Sequence, residues 1–314
     1  MPPLHSAWMR PSWAPLWIWI GILALWVRGA PAQDLEPRAY SVSPVGTSFA
    51  VFTTGQSRGS VVTDPTLPIE DVSAVVNVLS MAYFRSFDFF GRSANFTAAL
   101  PYGWGRVEGL VLGEPGRITR SGLVDARFRV AFNLKGAPAM HLREFMKYRH
   151  KTVIGTSLVI IAPTGQYDPA KIVNLGTNRW TFKPEFGFSR ALGESGRWLL
   201  DAYGGVWFFT ANNDYRGGTK TQDPMLTTQL HLNYLVRPRF WASVDTTFYA
   251  GGRGHVDGVP QANQRNLRIG TTISIPIHGP HSLKFSASTG AVVRTGGDFN
   301  TFGFAYQYLW NPKP

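Results

Sequence analysis

The sequence of 314 residues has no cysteine. That absence excludes a disulfide-stapled scaffold, thiolate metal sites and a cysteine nucleophile. Charge is also scarce: 16% of residues are Asp, Glu, Lys or Arg, against about 25% in an ordinary soluble domain. After residue 32 no apolar run approaches the length of about 18 residues that a membrane-spanning helix needs. A helical membrane protein is thereby excluded, and a barrel is not. No zinc spacing, calcium loop or phosphate-binding glycine loop appears, so neither a cofactor nor a metal is expected. What the chain has in quantity is glycine, 33 residues, and aromatic side chains, 14%.

The formal net charge is +12, but Lys and Arg are scattered singly, with no basic stripe and no recognition motif. This argues against a nucleic-acid partner. The charge suits outer-membrane lipid headgroups, lipopolysaccharide or an anionic solute instead. Residues 1–32 divide into a flank with Arg10, an apolar run from Leu16 to Val27, and the small-x-small site Ala30-Pro31-Ala32 before Gln33. The run is too short to cross a bilayer as a helix, which reads as a cleaved signal peptide; an uncleaved signal anchor is the alternative. The remainder, 33–314, reads as one domain.

Period-2 alternation runs through that remainder. Val124, Ala126, Phe128, Val130, Phe132 and Leu134 share one face, while Asp125, Arg127, Arg129 and Asn133 share the other. Such a strand fits between lipid and a polar lumen. Similar runs near 42–55, 71–85, 93–104, 121–134, 150–162, 178–190, 197–211, 224–236, 239–251, 264–276, 281–294 and 299–310 give twelve strands. Long and short links alternate between them. The expectation is therefore an all-β fold: a transmembrane antiparallel β-barrel of about twelve strands, bacterial outer-membrane type, with both termini periplasmic. The link 135–149 breaks the pattern. Its stretch 139–150 can form about two helical turns with Met140, Phe145 and Tyr148 on the packing side, either capping the inner mouth or gating it. Phe302, Phe304, Tyr306, Tyr308 and Trp310 alternate along the last strand and read as the signal taken up by the barrel assembly machinery, with Asn311-Pro312-Lys313-Pro314 beyond it.

The segment Ala162, Pro163, Thr164, Gly165, Gln166 and Tyr167, with Asn174, Gly176, Asn178, Trp180 and Pro184, resembles the signature of the family called MetA-pathway of phenol degradation. Gly122 to Asn133 resembles a strand of the same family. The resemblance spans about 40–311 and implies an outer-membrane β-barrel transporter. From the residues alone, Pro163, Thr164, Gly165, Tyr167, Asn174, Asn178 and Trp180 make a turn with an interfacial anchor. Alternatively the loop folds inward, with Tyr167, Asp168 and Lys171 as an eyelet.

Parity places Arg85, Asp125, Arg127, Arg129, Lys183, Glu185, Asp201, His231, Asp245, Arg268 and Lys284 on the lumen side, because charge facing lipid is costly. They form either a packed ion-pair ladder or the lining of a transport path. Tyr203, Trp207, Phe209, Trp241 and Tyr249 share the inward parity, as a slot for a small aromatic solute or as space fillers. Ser286, Ser288 and His231 are inward too, but no third polar group completes an outward hydrolytic arrangement, so an enzyme is not expected. The sequence thus points to a passive or gated channel for small organic, aromatic or hydrophobic solutes. The alternative is a structural or adhesion barrel with an occluded lumen.

Overall fold

The computed structural model describes residues 35–62, 69–111, 113–171 and 173–310. The signal peptide expected over 1–32, the chain start near Gln33 and the tail 311–314 lie outside the described residues. The strands are β1 (Ser48–Val62), β2 (Ile69–Phe89), β3 (Arg92–Val111), β4 (Glu114–Leu123), β5 (Ala126–Lys135), β6 (Thr152–Ala162), β7 (Thr181–Leu192), β8 (Trp198–Phe209), β9 (Asn212–Tyr215), β10 (Gly218–Gln222), β11 (Met225–Arg237), β12 (Phe240–Gly251), β13 (Gly254–Val256), β14 (Val259–Pro260), β15 (Gln264–Pro276), β16 (His281–Val293) and β17 (Gly296–Trp310). One short helix, α1 (Leu142–Phe145), lies between β5 and β6.

Neighbouring wall strands pair antiparallel in chain order, and β17 pairs back onto β1 from Ser48↔Trp310 to Val62↔Gly296. With β4 and β5 sharing one place in the wall, this closes a 12-strand barrel. Closure gives each place in the wall a hydrogen-bonded neighbour on both sides over most of its length, which a lipid environment requires. Along β11, Thr227, Gln229, His231 and Asn233 are buried, while Leu226, Leu230 and Leu232 are 44, 52 and 40% exposed. A polar inside and an apolar outside is the pattern of a membrane barrel. Aromatic contacts such as Tyr83–Trp310 and Trp198–Tyr234 form a belt near the end that carries the termini. Tyr102–Trp104 and Trp180–Phe182 lie toward the other, loop-bearing end. Among the described residues no helix is long and apolar enough to cross a membrane.

Three departures from the sequence reading have physical causes. The expected strand 121–134 is broken at Val124 and Asp125, so that β3 pairs with β4 over Tyr102–Val111 and with β5 over Ala94–Ala99. Pro101 lies at the break and has no N–H to give the ladder; its carbonyl accepts the Val124 N–H at 2.9 Å. Second, links read as loops continue as strand. The Gly- and Ser-rich stretch 55–62 stays extended because β2 and β17 pair with it on both sides, and parts of 212–223 and 252–263 form a sheet in the order β14-β13-β10-β9. Its central pairing, Lys220↔Val256, joins residues of two different links, which local patterning does not reveal. Third, the first strand begins at Ser48, not near 42, because residues 35–47 run inside the barrel.

Candidate transport lumen

Residues 35–47 are bonded along the inner wall. The Glu36 N–H donates to Gln229 Oε1 at 3.3 Å, the Arg38 N–H to Asp201 Oδ2 at 3.1 Å and the Ala39 N–H to the Tyr203 hydroxyl at 3.1 Å. These bonds satisfy the backbone of a segment without ladder partners, as burial demands. Arg127 pairs with the Glu36 carboxylate, and Arg129 donates to the Ala39 carbonyl at 3.2 Å. Tyr40 is the anchor. Its hydroxyl donates to Glu185 Oε1 at 3.1 Å and lies 3.0 Å from Ser157 Oγ. Its ring packs edge-on against Tyr203, with the Arg129 guanidinium 4.9 Å from its centroid.

The terminal end is closed below this segment. Val42 packs with Ala137, Met140 and Val153, against which Phe145 and Tyr148 also lie. The Val45 N–H donates to the Met140 carbonyl at 2.8 Å. The helix expected in 139–150 is one short turn, α1, whose start is fixed by the His141 N–H on Glu144 Oε2. Burial holds the His150 imidazole below its ordinary value, helped by Arg38 and opposed by Asp201; burial also pushes the Tyr148 phenol up.

Most of the charged residues read as lumen-facing are there. Lys183 Nζ lies 2.8 Å from Glu185 Oε2, with both side chains almost wholly buried. His231 Nδ1 lies 2.8 Å from Asp245 Oδ1, and Thr272 Oγ1 donates to the other Asp245 oxygen at 2.9 Å. Asp201 accepts from Asn233 Nδ2 at 2.9 Å, Arg268 donates to Ser288 Oγ and the Phe299 carbonyl, and Lys284 lies over the Trp241 ring. These groups are bonded to one another, to neighbouring wall residues or to the N-terminal segment, as in a packed network.

Two residues of that set differ. Arg85 is exposed on the outer face, on the same parity as Tyr83 and close to the terminal end. There its long stem can carry the guanidinium to the interface, so the lumen assignment is corrected. Asp125 is buried, but it ties a loop: Oδ1 accepts from the Gly165 N–H at 2.9 Å, and Oδ2 from the Thr177 N–H at 2.8 Å and hydroxyl at 2.6 Å.

The 163–180 loop is accordingly a packed unit. Thr164 Oγ1 accepts from the Ala126 N–H. Asn174 bonds the Asp168 N–H and carbonyl. Asn178 takes a left-handed backbone and donates to Asn212, and Tyr167 donates to the Asp214 carbonyl in β9. Pro163 leads into the turn, and Trp180 is 46% exposed on the outer face. The eyelet residues Asp168 and Lys171 pair with each other on the surface at 2.9 Å.

The aromatic set divides into two tiers. Tyr203 and Trp241 contact the N-terminal segment, Trp241 through Arg38. Toward the loop end, Trp207 and Tyr249 cluster with Val159 and Met225, and Phe209 and Ile161 pack against them. Parity alone could have added Thr227, Gln229 and Asn233 to the lumen set, since all alternate with leucines in β11. Glu36, Arg38 and Tyr40 precede every strand read from the sequence, so wall parity gave no reason to place them in the lumen. On the opposite wall the inward positions of β1 and β17 are small: Thr53, Gly55 and Ser57 against Ala305, Gly303 and Thr301. The lumen therefore has a bulky, charged side covered by the N-terminal segment and a side of small residues. Among the described residues no group of three or more His, Asp and Glu is placed to hold a metal.

In comparisons with solved structures, the chain is similar to the COG4313 outer membrane channel from Pseudomonas putida F1. The TM-score is 0.73 at 19% identity, over 88% of this chain and 100% of that one. A weaker likeness, TM-score 0.47 at 13% identity, is to the β domain of the Bordetella autotransporter BrkA, over 85% of this chain and 100% of that one. At these identities the likeness concerns the fold. No curated protein matches the sequence. The family model described as "Putative MetA-pathway of phenol degradation" matches residues 52–311, and the chain belongs to that family.

Proposed function

We propose that this protein is an outer-membrane channel for small organic solutes of aromatic or hydrophobic character, with both termini in the periplasm. The observation that carries this reading is the tier of Trp207, Tyr249, Met225 and Val159 within the lumen. Barrel interiors are ordinarily polar, and an apolar tier above a polar network favours a solute with an apolar body. The family description and the channel fold support the same reading. The path runs between residues 35–47 and the small-residue wall of β1 and β17, where the solute meets few charges. Permeation then depends on size and apolarity more than on ionic sign. Lipid and lipopolysaccharide surround the barrel, and Phe302, Phe304, Tyr306, Tyr308 and Trp310 present the assembly signal on its outer face.

A second reading, a structural barrel with an occluded lumen, is favoured by the many bonds of residues 35–47 and by the link beneath them. Single-channel conductance of the refolded protein in planar bilayers, with and without phenol or toluene, separates the two. Steady conductance that the aromatic alters supports the channel. Correct insertion with no conductance and no solute passage overturns it.

A further inference from the structure

Positive charge is gathered at one end of the barrel. In the links at the terminal end, 86–92, 135–151, 190–197 and 237–239, Lys and Arg number ten against three Asp and Glu. At the loop end, over the described residues of 56–73, 105–121, 163–180, 210–224, 252–265 and 294–300, they number eleven against nine. The two ends also differ in pairing. At the loop end Glu108 lies 3.5 Å from Arg106 and 3.4 Å from Arg117, and Lys171 pairs with Asp168. Among the described residues none of the ten terminal-end cations has a carboxylate within ion-pair distance. Nine of the ten are exposed; the tenth, Arg239, donates to the Gly279 and His281 carbonyls.

Part of this set stands on the wall itself. Arg190 has the outward parity of Phe186 and Phe188 on β7, with Leu200 of β8 opposite it. Arg197 directly precedes Trp198, which packs against Tyr234 on the outer face. The Leu235 N–H donates to the Arg197 carbonyl at 2.8 Å, which sets this turn beside the end of β11. There the Arg237 guanidinium lies 5.9 Å from the centroid of the Phe240 ring. Glu194, in the β7–β8 turn, is the single carboxylate in this stretch. Arg85 on β2 extends the arc, beside the Tyr83 hydroxyl. The distribution is one-sided: the arc follows the strand ends from β2 and β3 round to β12, while the described terminal ends of β15, β16, β17 and β1 carry no outward Lys or Arg.

We propose that this arc is a binding surface for anionic phospholipid headgroups in the leaflet at the terminal end, centred on Arg190, Arg197 and Arg237. What lies against the outer wall of a membrane barrel is lipid, and a soluble acidic protein does not reach Arg190 among lipid-facing Phe and Leu. The aliphatic stems lie along that apolar surface and deliver the guanidinium groups to headgroup level. Each planar fork matches two phosphate oxygens. Cations that no carboxylate of the protein neutralises add their attraction to anionic lipid along the arc. The inference goes beyond the channel reading and is independent of what passes through the lumen.

The test places the refolded protein in phosphatidylcholine bilayers with phosphatidylglycerol spin-labelled on its acyl chain or, for comparison, phosphatidylcholine carrying the same label. Electron spin resonance gives the ratio of their associations with the barrel surface. Phosphatidylglycerol is expected to be favoured about threefold at low salt. The preference shrinks toward unity at about 1 M salt, where the Debye length is about 3 Å. Arg190→Gln/Arg197→Gln/Arg237→Gln lowers the low-salt preference about twofold, and the corresponding Lys triple keeps most of it. Arg58→Gln/Arg106→Gln/Arg117→Gln, at exposed positions of the loop end, leaves it unchanged. A wild-type ratio near one, or one that salt does not reduce, overturns the proposal, and neither measurement depends on a variant folding. A preference that survives the terminal-end Gln triple, or that falls equally in the loop-end triple, overturns it as well.

Discussion

The ring of Tyr40 occupies the space that a side chain at residue 187 would fill: a Cβ on Gly187 would fall 2.1 Å from Tyr40 Cε2. Gly155, on the adjoining strand and paired with Gly187, leaves the same opening, with Tyr40 Cδ1 at 2.5 Å from its would-be Cβ. The two glycines form a socket in the wall, and the N-terminal segment is keyed into it. That contact joins a sequence-distant segment to the barrel.

Tyr40→Ala removes both the ring and the hydroxyl bonds to Glu185 and Ser157. By the usual cost of truncating a buried aromatic it lowers stability by about 3 kcal/mol, read as a fall in the temperature at which the heat-modifiable band unfolds. Single-channel conductance is expected to rise severalfold as residues 35–47 loosen.

Gly187→Leu tests the socket from the other side. The new side chain expels the ring, so conductance is expected to rise as in Tyr40→Ala, and the double variant to show no further increase. Additive increases would mean that the two positions act independently.

Lys183 and Glu185 are a buried ion pair, so removing one charge leaves the other uncompensated. Lys183→Met is expected to cost about 3–5 kcal/mol. Lys183→Met/Glu185→Gln recovers most of that loss, which unfolding of the single and double variants side by side will show.

Asp125→Ala frees the Gly165 and Thr177 donors, three hydrogen bonds to one carboxylate. A loss of about 3 kcal/mol is expected, together with faster proteolysis of the 163–180 loop. Arg85→Gln, on the outer face near the terminal end, changes stability by no more than about 0.5 kcal/mol.

His150 is held below its ordinary value, so the unfolded chain binds a proton before the folded one does. Its contribution to stability is in place above about pH 6.5 and is lost as pH falls through that value toward the folded pKa. Protection against hydrogen exchange in the 135–149 link, corrected for the intrinsic rate at each pH, should therefore fall on acidification in the wild type, and His150→Gln should flatten that response.

Much of the wall was legible because a barrel strand has one simple rule: inward and outward residues alternate, and lipid penalises charge. That rule located the course of the strands, assigned nine charged lumen residues, and showed the alternating Phe302 to Trp310 face. It failed where another contact outweighed alternation. Arg85 has a polar neighbourhood outside, near the terminal end, where its guanidinium need not turn inward. Asp125 serves a loop whose partner donors lie 40 and 52 residues away.

By itself, then, the sequence determined the barrel, its strand number and the two faces of its wall, since each follows from periodicity within a strand and the cost of charge in lipid. The tertiary structure alone decided what fills the lumen and which distant segments meet. Tyr40 finds its socket only when β6 and β7 are side by side, and Arg268 reaches the Phe299 carbonyl only when β15 and β17 flank β16. Both depend on contacts between segments whose separation in the chain leaves no local pattern to read.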